Sequence, residues 1–298
     1  MVPRWHTPVM VEEVLHFLAI RPDGIYLDAT VGTGGHAEAI CARLTTGKLI
    51  GVDRDPMALE IAQERLRSFA PRLELIRSSH AHLHTVLERV GVDTVDGILA
   101  DLGVSTLQLD APERGFSFQQ AGPLDMRMDP SGPETAADWV NHADEKELAD
   151  LIYTYGEERH ARRIARAIVR ARPVRDTRHL AQVVTGTRKA KGRQKLHPAT
   201  RTFLALRIAV NREQEELEQF LFRVPVHLRS GGRAVILSYH SLEDRLVKQS
   251  FRRFAASGTM YPLTKKVVTP NLQEVRANPR ARSAKLRAAE LISPPQGN

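Results

Sequence analysis

Apolar and polar residues alternate in short blocks along the first hundred residues of the chain. The apolar runs that predict β-strands lie at residues 24–27, 48–52, 73–76 and 95–100. A helical period of apolar positions follows the glycine-rich turn at 32–35, and another begins at Pro56, which favours the first turn of a helix. Strands and helices that alternate in this way predict an α/β domain with a parallel sheet and helices on both faces.

The pattern changes to helical spacing alone after residue 110. The helical stretches that it predicts lie at residues 134–152, 157–172, 177–189 and 198–220. Because no strand signal interrupts them, we expect residues 111–212 to form a separate helical domain.

Alternation returns near the C-terminal end, with a predicted strand at 233–238 and a predicted helix at 242–254. We therefore predict that residues 1–110 and 213–298 build one α/β domain and that the helical domain is inserted between them. The tail from Pro262 is rich in Lys, Arg and Pro, and we expect it to be loosely ordered.

Composition narrows the class of protein. The 298 residues include one cysteine, Cys41, which excludes a disulfide framework, a zinc ribbon and a cysteine-bound iron–sulfur cluster. No apolar run approaches the ~20 residues of a membrane span, and the first residues lack the apolar core of a signal peptide. We therefore expect a protein of the reducing cytoplasm that does not enter a membrane.

The formal net charge of +8 is distributed unevenly. It is −5 for residues 1–110, −8 for 111–158, +15 for 159–212 and +6 for 213–298. A segment as basic as 159–212 is typical of a surface that binds nucleic acid. Its basic residues are Arg159, Arg162, Arg163, Arg166, Arg170 and Arg172 on a predicted helix face, followed by Lys189, Lys191, Arg193 and Lys195 in a predicted loop.

Carboxylates end three of the predicted strands, at Asp28, Asp53 and Asp101. Ligands of open α/β sheets bind at the carboxyl ends of the strands. The glycine turn at 32–35 offers backbone N–H groups at a predicted helix N-terminus to a carboxylate or a phosphate, and Asp53 is placed to accept hydrogen bonds from a ribose diol. This outline is compatible with a nicotinamide dinucleotide and with S-adenosylmethionine. Asp28 would repel a pyrophosphate, whereas three acids favour a sulfonium and an ammonium, so charge favours the methyl donor.

Longer motifs resemble a known family along the whole chain. They lie at residues 6–9, 28–36, 53–56, 101–105, 108–110, 114–118, 123–129, 155–159, 197–203, 240–245 and 278–283. In this order they resemble the bacterial RsmH (MraW) family, which methylates the exocyclic N4 of a cytidine in the decoding centre of 16S rRNA. The resemblance implies a class I (Rossmann-like) methyltransferase sheet with an inserted helical substrate-recognition domain. It also implies S-adenosylmethionine as cofactor and 16S rRNA, within the small ribosomal subunit, as partner; a homodimer is compatible with it.

The resemblance also assigns cofactor contacts residue by residue. It places the methionine part on Gly34, Gly35 and His36, the ribose on Asp53, the adenine on His80, and further contacts on Asp101 and Gln108. The family usually has Phe at the position of His80, and an imidazole can still lie flat on an adenine.

Five further positions bear on this assignment. His80, His82 and His84 alternate, but they share one face only in a strand, and the following residues favour a helix, so we predict no metal. Thr106 and Tyr239 stand where the family prefers Ser and Phe. Leu204 likewise replaces the family's Gln. None of these departures removes a proposed catalytic group.

Methylation of cytosine N4 needs a group that accepts the N4 proton, because the N4 lone pair is delocalised into the ring. The end of the fourth strand points to Asp101 and Ser105 as the candidates. Methylation at C5 would instead need a cysteine thiolate that attacks C6. Cys41 lies inside the helix predicted after the glycine turn, so the sequence favours nitrogen as the acceptor.

Several interpretations stay open at this point. Phe116 and Phe118 either stack on a splayed base or pack the inserted domain, and Asp125 and Asp129 either bind the cytosine amino group or pair with Arg127. The alternative functions are a nicotinamide-dependent oxidoreductase and a non-catalytic RNA-binding protein. The acidic crevice and the basic insert argue against the first, and the glycine turn with its acids argues against the second.

Overall fold

The computed structural model describes residues 8–187 and 196–292. The chain divides into two compact units, one formed by Met1–Gly103 with Gln214–Asn298 and the other by Val104–Glu213. We call them the sheet unit and the helical unit. No helix among the described residues is long and apolar enough to cross a membrane.

The sheet unit is built on a seven-stranded sheet. In chain order the strands are β1 (Ile25–Asp28), β2 (Lys48–Asp53), β3 (Leu73–Arg77), β4 (Val95–Asp101), β5 (Leu228–Ser238), β6 (Met260–Pro262) and β7 (Lys285–Leu291). Their spatial order is β3-β2-β1-β4-β5-β7-β6, with β1 to β5 parallel and β7 antiparallel to both of its neighbours. The predicted mixed α/β class and its four N-terminal strands are confirmed.

The described residues contain thirteen α-helices. In chain order they are α1 (Val11–Leu18), α2 (Gly35–Cys41), α3 (Pro56–Arg65), α4 (Leu83–Arg89), α5 (Thr106–Asp110), α6 (Ala136–His142), α7 (Glu145–Gly156), α8 (Ala161–Arg170), α9 (Thr177–Gly186), α10 (Thr200–Val210), α11 (Glu213–His227), α12 (Ser241–Ala256) and α13 (Leu272–Ala277).

Alternation of side chains along the strands gives the sheet unit two apolar cores. In β1, Tyr26 belongs to the core with α1 and α2, whereas Leu27 belongs to the core with α11 and α12. In β4, Leu99 belongs to the core with α1 and α2, and Ile98 belongs to the core with α11 and α12. A strand directs successive side chains to opposite faces, so these continuous apolar runs produce a sheet that is covered on both sides.

The strand order reverses between β1 and β4, which are neighbours in the sheet. The chain builds β2 and β3 on one side of β1 and then crosses to place β4 on the other side. The carboxyl ends of β1 and β4 therefore border the crevice in which open α/β sheets bind their ligands. Asp28 is the last residue of β1, and Asp101 is the last residue of β4.

The expectation of a loosely ordered tail is wrong. Residues 262–292 include α13 and β7, and β7 pairs with both β5 and β6. Leu286, Ala288 and Ala289 are fully buried in the sheet. The alanines have low β-propensity and the intervening Lys and Arg side chains are polar, so the strand pattern was weak although the burial is complete.

The helical unit contains α5 to α10 around its own apolar core, which includes Met126, Ile152 and Ile164. The predicted helix at 134–152 is two helices, because Asp144 caps α7 by accepting the N–H of Glu147 at 2.7 Å. The predicted helix at 198–220 also breaks.

Asn211 accounts for that second break. It is buried between the end of α10 and the start of α11. Its side-chain amide donates to the carbonyl of Met126, and its side-chain oxygen accepts from the N–H of Met128, each at 2.7 Å. These bonds attach the irregular segment that contains Met126 and Met128 to the end of α10.

Candidate active site

The glycine turn after β1 requires glycine for two different reasons. Gly34 has φ +84° and precedes α2, and a Cβ there would lie 3.1 Å from a methyl group of Leu66. At Gly35 a Cβ would lie 3.0 Å from Pro8. The turn is therefore fixed in a left-handed conformation by its close neighbours, and its backbone polar groups are presented without side chains.

Asp53 connects this turn to the end of β2. Its Oδ2 accepts the N–H of Gly32 at 2.8 Å, and its Oδ1 accepts the N–H of Asp55 at 2.9 Å. Burial raises the pKa of Asp53 above its usual value, although both amides favour the ionised form. Because each carboxylate oxygen can accept more than one hydrogen bond, the group still has acceptor capacity for a hydroxyl pair.

Asp28 lies deepest of the three acids, with 1% of its surface exposed. Its Oδ1 accepts the N–H of Thr30 at 3.2 Å. Burial, together with the charges of Asp101 and Asp53, raises the pKa of Asp28 to about 8. The sequence pattern placed Asp28 in the crevice, and the structure shows that it interacts electrostatically with the other two acids.

These three carboxylates fit S-adenosylmethionine by their charge. Burial raises the pKa of each of them, so ionisation of each carries an energetic cost. A cation in the crevice reduces that cost, because an opposite charge favours the ionised form of a carboxylate. A sulfonium and an ammonium supply that charge, whereas a pyrophosphate would increase the repulsion.

Asp101 has a distinct partner on each oxygen. The hydroxyl of Tyr239 donates to Oδ1 at 2.7 Å, and Nδ1 of His36 lies 3.6 Å from Oδ2. Burial raises the pKa of Asp101, and both His36 and the Tyr239 hydrogen bond oppose that effect. His36 itself is fixed by a contact of 2.8 Å between Nε2 and the carbonyl oxygen of Val9.

Sequence reasoning assigned no role to Tyr239. A signal was present, because Tyr239 immediately follows Ser238, the last residue of β5, and β5 is the parallel neighbour of β4. The rule that picked out Asp28, Asp53 and Asp101 at strand ends applies to this position as well.

His80 lies in a 3₁₀ turn after β3 that is capped by Ser79, whose hydroxyl accepts the N–H of Ala81 at 3.1 Å. The imidazole packs edge-on against Phe220, with 5.4 Å between ring centroids. Its Nε2 is buried and has no hydrogen-bond partner among the described residues. Burial lowers the pKa of His80 to about 3, so the ring is neutral and available as a flat surface.

The alternating histidines have separate surroundings. His80 contacts Phe220, whereas His84 stacks on His227 with 5.3 Å between centroids. His82 is exposed at the end of the 3₁₀ turn. The three rings therefore do not converge on one point.

Ser105 and Gln108 belong to the helical unit, where they cap α5 together. The Ser105 hydroxyl accepts the N–H of Gln108 at 3.2 Å, and the Gln108 side chain accepts the N–H of Ser105 at 3.1 Å. The other predicted site residues lie in the sheet unit, after the strand ends or, for Asp53 and Asp101, on them. These are Gly34, Gly35, His36, Asp53, His80 and Asp101.

The open interpretations within the helical unit are partly resolved. Asp125 pairs with Arg127 through two hydrogen bonds, at 2.9 and 2.7 Å, which agrees with the ion-pair interpretation for this acid. Phe116 is 7% exposed and lies in the apolar core, as a packing residue does. Phe118 is half-buried, and its ring centroid lies 4.6 Å from that of His197.

The predicted basic helix face lies on α8 and at Arg159, two residues before the first residue of α8. Ala161, Ile164 and Ile168 face the core. The exposed arginines are Arg159, Arg162, Arg163, Arg166 and Arg170. Arg166 contacts Glu145 at 3.2 Å, so part of the charge is neutralised.

Two parts of the predicted basic surface are not on this exposed helix face. Arg172 does not belong to the exposed face, because its guanidinium donates to the backbone carbonyls of Val140 and Ala143. The loop residues Lys189, Lys191, Arg193 and Lys195 lie outside the described residues.

Comparison with known proteins identifies the family. Residues 4–292 match the sequence model of the MraW methylase family. The chain belongs to this family. The fold and the cofactor implied by the resemblance, a class I methyltransferase sheet and S-adenosylmethionine, are thereby confirmed.

Relatives within the MraW family match over nearly the full length. The chain is 54% identical over 286 residues to the ribosomal RNA small subunit methyltransferase H of Solibacter usitatus, covering 96% of this chain and 99% of the relative. It is 50% identical to the proteins of the same name from Koribacter versatilis, covering 95% and 93%, and from Geobacter sulfurreducens, covering 96% and 99%. Membership of a methylase family favours the methyl donor over the nicotinamide cofactor.

Proposed function

We propose that this protein transfers a methyl group from S-adenosylmethionine to the exocyclic N4 of a cytidine in the decoding centre of 16S rRNA. The relatives at about 50% identity are named as methyltransferases of the small-subunit ribosomal RNA, which supports this class of substrate. The carboxylate of Asp101 carries the proposal, because it ends β4 at the switch point of the sheet and is held by a hydrogen bond from the Tyr239 hydroxyl.

The residues that would hold the cofactor line the carboxyl edge of the sheet. The backbone of Gly34 and Gly35 would receive the methionine part, Asp53 the ribose, and the neutral ring of His80 the adenine. When bound, S-adenosylmethionine supplies an electrophilic methyl group on a sulfonium. His36, which the resemblance also assigns to the methionine part, is held by the contact between its Nε2 and the carbonyl oxygen of Val9 and lies 3.6 Å from Asp101.

Asp101 is suited to accept a proton from a substrate amino group. Burial raises its pKa above the usual value, and a raised pKa makes a carboxylate a stronger base. The group is also fixed, because its own backbone N–H donates to the hydroxyl of Thr30 at 2.6 Å. Asp101 would hold the proton that N4 loses as the nitrogen forms its new bond.

Ser105 and Gln108 keep the roles proposed from the sequence, as a second polar group for the N4 proton and as a cofactor contact. The capping bonds of Ser105 use one lone pair of its hydroxyl oxygen. A hydroxyl has a second lone pair and a proton to donate, so capping does not exclude a role towards the substrate.

Cys41 supports methylation at nitrogen. It is the one cysteine of the sequence, and it is fully buried in α2. Burial raises the pKa of its thiol to about 12, so the thiolate that C5 methylation requires is not formed near neutral pH.

The helical unit is proposed to recognise the RNA. The arginine face of α8 offers a row of charges to phosphates, and the half-buried ring of Phe118 offers an aromatic surface to a base. Residues 111–212 therefore keep the substrate-recognition role inferred from their charge, and the sheet unit would perform the chemistry.

Nucleoside analysis tests this proposal. The purified protein is incubated with methyl-labelled S-adenosylmethionine and either naked 16S rRNA or assembled small subunits that lack the modification. Digestion and mass spectrometry then identify the labelled nucleoside. We expect N4-methylcytidine from a position in the decoding centre. Label in 5-methylcytidine, or no label on either RNA, would contradict the proposal.

A further inference from the structure

The carboxylate of Asp101 is held asymmetrically. The Tyr239 hydroxyl donates a direct hydrogen bond of 2.7 Å to Oδ1, whereas the nearest ring nitrogen of His36 is 3.6 Å from Oδ2. A hydrogen bond to an ionised acceptor at 2.7 Å is a strong one, and a separation of 3.6 Å is too long for a direct bond. One oxygen is therefore engaged, and the other retains acceptor capacity.

Tyr239 is itself held from two sides. Its backbone N–H donates to Oε2 of Glu243 at 2.8 Å, and Glu243 is buried in the first turn of α12. Its ring lies against Gly103, where a Cβ would be 3.4 Å from the ring edge. The backbone hydrogen bond and the ring contact together keep the hydroxyl oxygen beside Oδ1.

We propose that Tyr239 is a positioning residue for methyl transfer, whose hydroxyl occupies Oδ1 of Asp101 and leaves Oδ2 as the oxygen that receives the proton. This inference rests on the proposed role of Asp101. Tyr239 exchanges no proton with the substrate: its O–H bond stays intact, and the proton lost by the amino nitrogen is bound by Oδ2.

The titratable and charged groups around Asp101 determine how much the Tyr239 hydroxyl changes the ionisation of the Asp101 carboxylate. Asp28 on β1 and Glu243 on α12 disfavour a second negative charge, whereas His36 on α2 and the hydroxyl of Tyr239 favour it. Burial and the neighbouring carboxylate raise the pKa of Tyr239 well above its usual value, so it remains a donor. Removal of this donor raises the pKa of Asp101 and reduces its ionised fraction on the acidic side.

The substitution Tyr239→Phe tests the inference, because it keeps the ring that packs on Gly103 and removes only the hydroxyl. Single-turnover methyl transfer at saturating S-adenosylmethionine is measured from pH 5.5 to 9. We expect the acidic limb of the rate profile to move up by about one pH unit, with a rate about tenfold lower at its acidic end. The two proteins converge at alkaline pH, where Asp101 is ionised in both.

A merely structural role predicts a different profile. Loss of packing would lower the rate by a similar factor at every pH, and a superimposable profile would show that the hydroxyl does nothing for the reaction; either result overturns the inference. Tyr261→Phe is the matched control, because Tyr261 is 55% exposed on β6, and its profile should equal that of the wild type.

A failure of the proposed function can be distinguished from a failure of the inference about Tyr239. A wild-type protein that forms no N4-methylcytidine contradicts the proposed function and the positioning role of Tyr239 with it. A wild type that forms this nucleoside while Tyr239→Phe leaves the profile unchanged contradicts the inference alone. Carbon-13 NMR of the Asp101 carboxyl gives a readout without turnover: its pKa should be higher in Tyr239→Phe, and an equal pKa contradicts the coupling.

Discussion

The backbone N–H of Gly32 donates a hydrogen bond of 2.8 Å to Oδ2 of Asp53. The bond joins the glycine turn after β1 to the carboxyl end of β2, so two cofactor-binding elements are positioned by one side chain. Asp53 therefore shapes the turn in addition to its expected contact with a ribose.

Asp53→Asn is expected to weaken binding of S-adenosylmethionine by about 10- to 100-fold, because charge-assisted hydrogen bonds contribute roughly 1.5–3 kcal/mol. Isothermal calorimetry measures the change. Asp55→Asn is the matched control, since Asn caps a helix as well as Asp does and Asp55 caps α3. Equal affinity of Asp53→Asn and the wild type, both folded, would remove Asp53 from the site.

His80 makes the stability of the protein depend on pH. The pKa of His80 is lowered from 6.5 to about 3, so in the unfolded chain the ring takes up a proton that the folded protein excludes. Its contribution to stability is present above pH 6.5 and is lost as the pH falls towards 3, by at most about 1.4 kcal/mol per pH unit.

His80→Phe should therefore flatten the decline of unfolding free energy between pH 6.5 and 4.5, as measured by urea denaturation. It should also retain binding of S-adenosylmethionine, because a flat ring is kept at the predicted adenine contact. His82→Phe alters an exposed ring of the same turn and should keep the wild-type slope. Parallel slopes for His80→Phe and the wild type would show that His80 is protonated in the folded protein.

Cys41→Ala should leave methyl transfer within about twofold of the wild type, because the buried thiol takes no part in nitrogen methylation. The small cavity should lower the free energy of unfolding by about 1 kcal/mol. Rates and thermal unfolding are measured on the same preparation. A folded Cys41→Ala protein that has lost activity would indicate a covalent intermediate and C5 chemistry.

Charge reversal on α8 should weaken RNA binding and flatten its dependence on salt. Arg163→Glu with Arg170→Glu removes two exposed charges, and each lost phosphate contact reduces the slope of log affinity against log salt by about 0.7–0.9. Lys248→Glu with Arg252→Glu on α12 is the control for net charge. If both double variants change the slope equally, α8 has no specific part in binding.

The sequence predicted the positions of the acids because a parallel sheet brings the carboxyl ends of its strands to one edge. Asp28, Asp53 and Asp101 could therefore be placed before any coordinates were known, from three short apolar runs. The same rule applies to Tyr239, which directly follows β5, but it does not say which strand ends are neighbours. Tyr239 lies 138 positions further along the chain than Asp101, and the sheet order, with β5 beside β4, makes it a partner of Asp101.

Two other differences between the sequence-based predictions and the structure have local causes. β7 was missed because Ala288 and Ala289 do not favour strands, yet pairing with both neighbours and complete burial outweigh that preference. The capping pair of Ser105 and Gln108 follows a recognisable spacing, Ser-x-x-Gln, which predicts a helix start as readily as a catalytic position.

Asp101→Asn tests whether Asp101 accepts the proton from the cytidine amino group. Its single-turnover rate of methyl transfer is measured at concentrations of S-adenosylmethionine that calorimetry shows to be saturating. An amide of the same shape cannot hold that proton, so we expect a rate lower by about 10²–10⁴-fold with cofactor bound. A rate within twofold of the wild type under those conditions would show that Asp101 is not the proton acceptor.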